Sequence, residues 1–365
     1  MIPSTSQGFD PVFTSIQTEL APSSSLNFLT GIATSGIKFE SMIQFDYDYR
    51  ESRLAGVGAY STVQRGLSFD KQLVALKHSR PFSGPFGVPE GPRYEQHLHD
   101  VCLELRILSH EQLRKHKNIL DILGVGYDTE NRQACFSLIL EYSSFGTLHS
   151  FLSSKEYTVD ANLQIGLITQ FARGLAALHS LAVCHGDVKT QNALIFQEND
   201  TWILKISDFG TSIIADRNNQ SARVRPRGGT RLLSAPEIRR GIAMNDPNFD
   251  IHAALATDVF SFGLLAWEVL NRGRFYFDRM WVKEVESDRK LTIDDMEEYL
   301  DELQVDGLLE HAKRFLETLK LPSSIADQMS NVFDGSLRDS VNCRQSIDRV
   351  LKACTSDAES RYVYI

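Results

Sequence analysis

Short apolar runs and amphipathic stretches alternate along this chain, and each predicts an element. Val74-Ala75-Leu76 is an apolar run ending in Lys77 and predicts a strand. Val101, Leu105 and Leu108 recur at helical spacing, so a helix is expected from about Tyr94, with Leu113 beyond a turn. Ser137 to Tyr142 reads as a buried strand, and Leu163, Leu167, Ile168, Phe171, Leu175 and Leu178 mark a long amphipathic helix. Trp202 to Ile206 predicts another strand. Thr257 to Leu270 is apolar nearly all round, as a helix in the middle of a lobe should be. Residues 271–330 read as helical and charged. Between these elements, Arg80 to Pro92 packs four prolines and three glycines into thirteen residues, which predicts a long loop. Residues 1–42 are rich in Ser and Thr with scattered apolar positions, and Ser23-Ser24-Ser25 after Pro22 breaks any helix. They are expected to form a loosely held or disordered extension, or a docking or autoregulatory segment.

Length and composition narrow the class. A chain of 365 residues buries a large core and is expected to split into two lobes or domains. A net charge of -9 excludes a global attraction to nucleic acid or anionic membranes, so any basic site must be local. The five cysteines are odd in number and scattered, without metal-ligand spacing, and read as free thiols in a reducing compartment. No apolar run reaches the roughly 18 residues needed to span a bilayer. No Lys or Arg precedes Lys38, so neither a secretory signal nor a transit peptide is expected, and a cytoplasmic or nuclear location follows.

The candidate chemistry is concentrated between His185 and Glu237. His185-Gly186-Asp187-Val188-Lys189-Thr190-Gln191-Asn192 is followed by Asp208-Phe209-Gly210 and then by Ala235-Pro236-Glu237. Each tripeptide alone is weak. Three in this order, with Asp187 and Asn192 five apart, are specific, and they resemble the catalytic loop, the metal-binding triplet and the end of the activation segment of eukaryotic protein kinases. The resemblance covers about 43–353 and implies an α+β, two-lobed fold. A small β-rich lobe would span about 43–142 and a larger, mainly helical lobe about 143–353, with a tail at 354–365 and Mg-ATP in the cleft.

The resemblance also implies roles. Phosphoryl transfer asks a protein for positioning and charge neutralisation rather than covalent chemistry. Asp187 would orient a substrate hydroxyl and accept its proton, and Lys189 would meet the transferred phosphate. Asn192 and Asp208 would hold Mg²⁺ by hard oxygen ligands. Gly56-Val57-Gly58-Ala59-Tyr60-Ser61 is similar to the glycine-rich loop, with Ser61 in place of the third Gly, and would let backbone N–H groups approach the phosphates. Lys77 would contact the α- and β-phosphates and pair with Glu104, for which Glu95 and Glu111 are rivals at the wrong offset. Val63 and Ala75 would sandwich the adenine, Leu140 would control the back of its pocket, Glu141 and Tyr142 lie in the hinge, and Leu194 would complete the site. Asp258 would tie down the catalytic-loop backbone, and Arg344 is the expected buried partner of Glu237. Lys189 with Thr230 goes with Ser/Thr substrates in the family.

Two departures matter, Gly186 and, more mildly, Ser61, whose Cβ costs something where Gly would bend freely. Gly186 stands where the family usually has an arginine that pairs with an activation-segment phosphate, so activity independent of such phosphorylation is expected. Arg217, Arg223, Arg225, Arg227 and Arg231, against the single acid Asp216, either hold a phosphate or acidic substrate or form a solvated loop. The expected function is ATP-dependent transfer to Ser/Thr hydroxyls of protein substrates. A pseudokinase-type binding scaffold is the alternative, and a small-molecule phosphotransferase, some of which share His-Gly-Asp, is a further one.

Overall fold

The computed structural model describes residues 39–41, 54–57, 61–68, 71–79, 92–128, 135–215, 222–280 and 292–355. Side chains are described for 62–68, 71–78, 98–126, 137–215, 222–278 and 292–355. The chain forms two compact units. The first takes Met1–Lys115 and Asp121–Tyr142, and the second takes His116–Leu120, Ser143–Ala215 and Gln220–Ile365, with Asp216–Asn219 assigned to the first.

The first unit is built on a six-stranded sheet. Its strands are β1 (Phe39–Ser41), β2 (Leu54–Val57), β3 (Ser61–Leu67), β4 (Leu73–Ser79), β5 (Ile122–Asp128) and β6 (Cys135–Glu141), in the order β1-β5-β6-β4-β3-β2. All neighbours are antiparallel except β1, which runs parallel to β5 with Phe39 opposite Val125. Phe39–Ser41, at the end of the expected extension over 1–42, supply an edge strand beside β5, and the rest of that extension lies outside the described residues. On β4 the side chains alternate. Val74 and Leu76 are buried with Ile139 of β6, which leaves Ala75 and Lys77 on the opposite face. Ala75 stands opposite Leu140, and Lys77 opposite both Val63 and Leu138. Helix Pro92–Ser109 begins slightly earlier than its apolar spacing suggests, with proline in its first turn, where a missing N–H costs nothing. Leu98, Leu105, Ile107 and Leu108 are buried on it.

The second unit is mainly helical. Asp160 caps helix Ala161–Ser180 by accepting from Leu163 N at 2.8 Å, and Leu167, Ile168, Phe171, Leu175 and Leu178 are fully buried along it. Asp250 caps helix Ile251–Leu270 in the same way, accepting from Ala253 N at 2.9 Å, and every residue from Thr257 to Leu270 is buried. By length and composition this helix is apolar enough to cross a membrane, but 83% of its apolar window lies inside the unit. Short strands flank the candidate site: β7 (Val183–Cys184), β8 (Ala193–Glu198), β9 (Thr201–Ile206) and β10 (Ile213–Ile214). His116–Leu120, expected in the smaller lobe, belongs here because Leu120 N donates to Ile206 O and Ile206 N to Asn118 O, both at 2.9 Å. The charged region after Leu270 yields helices Ile293–Glu302, Gly307–Thr318 and Ser323–Ser336, and the chain ends its described part on helix Ile347–Cys354.

Candidate active site

In the first unit, Lys77 Nζ donates to Glu104 Oε2 at 2.7 Å. Both groups are largely withdrawn from water, with 14% and 3% of their side chains exposed, so each charge depends on the other. Glu111 is exposed in the turn after the helix ends, and the Glu95 side chain lies outside the described ones. Leu140 is buried, while Val63, Glu141 and Tyr142 are half-buried. Glu141 Oε1 accepts from Asp121 N at 2.7 Å, which fixes the end of β6. Gly56 and Val57 fall on β2 and Ser61 on β3, whereas Gly58, Ala59 and Tyr60 lie outside the described residues.

In the second unit the loop between β7 and β8 is held from below by helix Ile251–Leu270. Asp258 accepts from His185 N at 2.6 Å and from Gly186 N at 2.9 Å, and the His179 ring approaches it at 3.0 Å. Burial pushes the Asp258 carboxyl up, but the hydrogen bond and charge of His179, with His185 and the Gly186 N–H, outweigh it and hold the carboxyl below its ordinary range. A permanently ionised clamp results. His185 in turn places its ring against Ser207 O at 3.1 Å, joining this loop to the Asp208-Phe209-Gly210 segment.

Asp187 sits at the centre of a web of donors. Its Oδ2 accepts from Lys189 Nζ at 2.6 Å and from Asn192 Nδ2 at 3.0 Å. Its Oδ1 accepts from both the backbone N–H and the hydroxyl of Thr230, each at 2.9 Å. Lys189 also reaches Thr230 Oγ1 at 3.0 Å. Four donors on one carboxylate fix its direction.

Sequence reasoning used Thr230 as a substrate-class signal and did not place it on Asp187. It also passed over Glu268, whose signal was a second carboxylate, after Asp258, within an otherwise apolar helix. Glu268 is buried, and Thr190 Oγ1 donates to its Oε2 at 3.2 Å. Burial raises its pKa from 4.5 to about 7, against the lowering effect of the Thr190 hydroxyl. A carboxyl raised in the folded state binds its proton more tightly there than in the unfolded chain. Its contribution is therefore present below pH 4.5 and is lost as pH rises toward 7. The shift corresponds to roughly 3 kcal/mol. Glu268→Gln is accordingly expected to gain stability relative to the parent as pH is raised from 5 to 8. Urea titrations at the two pH values check this, and a difference independent of pH would count against it.

Backbone conformation explains the residue at 186. Gly186 has φ +80, and a Cβ there would lie 2.7 Å from Thr211 O. Gly229 has φ +121 and presses on the Gly186 carbonyl, where a Cβ would come within 2.8 Å. The two glycines let the segment carrying Thr230 approach the loop carrying Asp187 backbone to backbone. Gly186→Ala is expected to cost about 1–2 kcal/mol from the left-handed conformation alone, read as a lower Tm, with the parent Tm as the contrary result. Arg223 donates to Met244 O at 2.8 Å and Arg231 pairs with Glu297, so both of these arginines are engaged within the unit. Asp216, Arg217 and Ser221 lie outside the described residues.

Asp208 is exposed and itself has φ +65, a conformation an aspartate tolerates better than most residues. Asn192 spends its Nδ2 on Asp187 O at 2.9 Å and on Asp187 Oδ2, which leaves its amide oxygen as the remaining ligand atom. A carboxylate and an amide oxygen form a hard donor set that fits Mg²⁺. No group of three or more His, Cys, Asp or Glu side chains is poised around a metal among the described residues. Mg²⁺ is usually held by one or two protein ligands with phosphates and water supplying the rest. Leu194, half-buried on β8, neighbours this loop in sequence.

Glu237 and Arg344, 107 residues apart, form a two-pronged buried pair at 2.6 and 2.8 Å. With this geometry in hand, comparison with known proteins is specific. Residues 49–354 match the protein kinase domain. Wall-associated receptor kinase 3 of Arabidopsis thaliana is 28% identical over 251 residues, covering 67% of this chain and 30% of that protein. Receptor-like protein kinase ANXUR2 of the same plant is 30% identical over 230 residues, covering 61% of this chain and 23% of that protein. The putative wall-associated receptor kinase-like 16 is 27% identical over 251 residues, 67% of this chain and 51% of its own length. The chain thus spans between about a quarter and a half of these relatives. Since the matched family domain takes in the Lys77–Glu104 pair, the donor web on Asp187 and the buried Glu237–Arg344 pair, the chain belongs to the protein kinase family.

Proposed function

We propose that this chain is an active protein serine/threonine kinase that uses ATP with Mg²⁺. The observation carrying this reading is the donor web on Asp187, in which Lys189 and Thr230 hold the carboxylate from both oxygens. Asp187 orients a Ser or Thr hydroxyl of a protein substrate and takes its proton as the oxygen bonds to the γ-phosphorus and the bond to the β-phosphate oxygen breaks. Lys189 offsets charge on the transferred group, and Lys77, fixed by Glu104, holds the α- and β-phosphates. Asn192 and Asp208 would hold Mg²⁺, whose chemistry is to neutralise charge on the phosphates. With Gly186 in place of an arginine, the reading includes activity without phosphorylation of the activation segment.

The test is transfer of labelled γ-phosphate by the full chain to itself and to a generic basic protein, beside Asp208→Asn. Label on Ser or Thr with the parent alone supports the reading. No transfer while ATP still raises the Tm would instead favour a binding scaffold.

A further inference from the structure

The hold of Thr230 on Asp187 has an outside support. Thr230 leads directly into a 3-10 turn, Arg231–Leu233, and then into the short helix Pro236–Arg239. Tyr276, Glu297 and Asp301 grip this stretch at three points. The buried Tyr276 donates its hydroxyl to Leu232 O at 2.6 Å. Asp301 Oδ1 accepts from Arg239 Nη2 at 3.2 Å and from Arg240 Nε at 2.8 Å. Arg231 Nη2 donates to Glu297 Oε2.

The third contact differs from the second in which partner is buried. At Asp301 the carboxylate is 45% exposed and the Arg239 side chain 4%, so the anion keeps its water. At Glu297 the carboxylate is the withdrawn partner and Arg231 is 64% exposed. Glu297 has 11% exposed, and its Oε1 is buried with no hydrogen-bond partner among the described residues. A buried carboxylate with one oxygen unmatched is costly unless the other is compensated by a cation. Glu297 therefore needs the Arg231 guanidinium, and Arg231 is the residue after Thr230. The helix supplying Glu297 is itself well anchored. Thr292 and Asp295 form a reciprocal cap at its start, Leu300 is buried, and Tyr299 meets Phe277 edge-on at 5.6 Å.

We propose that Glu297 is a positioning residue: through Arg231 it holds the Thr230 N–H and hydroxyl on Asp187. The effect on rate rests on the kinase reading above, whereas the effect on Thr230 does not.

The experiment uses the full chain with Glu297→Gln, and with Glu298→Gln as a control from an exposed site on the same helix. Amide hydrogen exchange at Thr230 and through Leu233 is expected to quicken about tenfold in the first variant and to stay at the parent level in the second. The kcat for transfer should fall about tenfold in Glu297→Gln, the equivalent of about 1.4 kcal/mol, with KM for ATP unchanged. Combining Arg231→Glu with Glu297→Arg returns the pair with reversed polarity and is expected to bring both readings back toward the parent. This rescue also serves if Glu297→Gln alone folds poorly, since a double swap that folds but leaves both readings impaired overturns the proposal. Unchanged exchange at Thr230 overturns it, and so does faster exchange with an unchanged kcat. If the parent transfers no phosphate, the kinase reading fails, and the exchange rates alone decide whether Glu297 holds Thr230.

Discussion

Asp187→Asn is expected to lower kcat for phosphoryl transfer by about 10²–10⁴-fold, the range a positioned general base contributes. The geometry argues for the upper part of that range. Both carboxylate oxygens of Asp187 face donors: Lys189 Nζ and Asn192 Nδ2 on one side, the Thr230 N–H and hydroxyl on the other. An asparagine replaces one oxygen by an NH₂ group. Turned one way, it sets that group against an ammonium and an amide N–H₂. Turned the other way, it meets a backbone N–H that cannot reorient. Either choice loosens Thr230 or Lys189 as well as removing the base, so the loss should exceed that of the proton acceptor alone. Nucleotide binding should survive, because Lys77 and Glu104 belong to the other unit and none of the four donors is theirs. The measurement is kcat with labelled γ-phosphate, together with the ATP-induced rise in Tm. A variant within threefold of the parent would show that Asp187 is not the base.

Much of this site was legible because local sequence carries it. The order of His185-Gly186-Asp187, Asp208-Phe209-Gly210 and Ala235-Pro236-Glu237 located the loop. The resemblance of the apolar helix around Asp258 to the family's central helix located its support. Contacts that depend on two distant backbones were not legible. Nothing in Thr230 alone says that its N–H reaches Asp187, 43 residues earlier. Gly186 read as a missing arginine and as part of a His-Gly-Asp shared with small-molecule phosphotransferases, while the approach of Thr211 O to it is visible once the chain is folded. The grip of Glu297 on Arg231 comes from a region without a recognised motif, where periodicity gave helices but no partners. The β1 strand escaped for a related reason: three residues paired at a sheet edge leave too little alternation to read.

Arg344→Leu should be the most damaging substitution for stability, costing about 3–5 kcal/mol, the usual loss when one member of a buried pair is removed. Arg344 has none of its side chain exposed, and all of its directed N–H groups find acceptors. Two meet Glu237 Oε1 and Oε2 at 2.6 and 2.8 Å. The rest go to the carbonyls of Arg338 at 2.8 Å, Ala256 at 3.2 Å and Asp339 at 3.0 Å. The guanidinium also lies over the Phe260 ring, 4.9 Å from its centroid. Leucine fills part of the space but leaves the Glu237 carboxylate buried and uncompensated, and removes the Arg344 bonds to three carbonyls. Arg344→Lys keeps the charge yet has neither the two-pronged geometry nor the reach to five acceptors, so it should recover only part of the loss. At about 2–4 °C per kcal/mol for a unit of this size, Arg344→Leu should lower the Tm by roughly 6–20 °C, and a shift under about 2 °C would sink the assignment. The pair also bears on the site, because Glu237 stands seven residues after Thr230 on the same stretch of chain. Its loss should therefore raise amide exchange from Thr230 to Arg240 before the unit melts, whereas a purely global effect would raise exchange throughout the unit together.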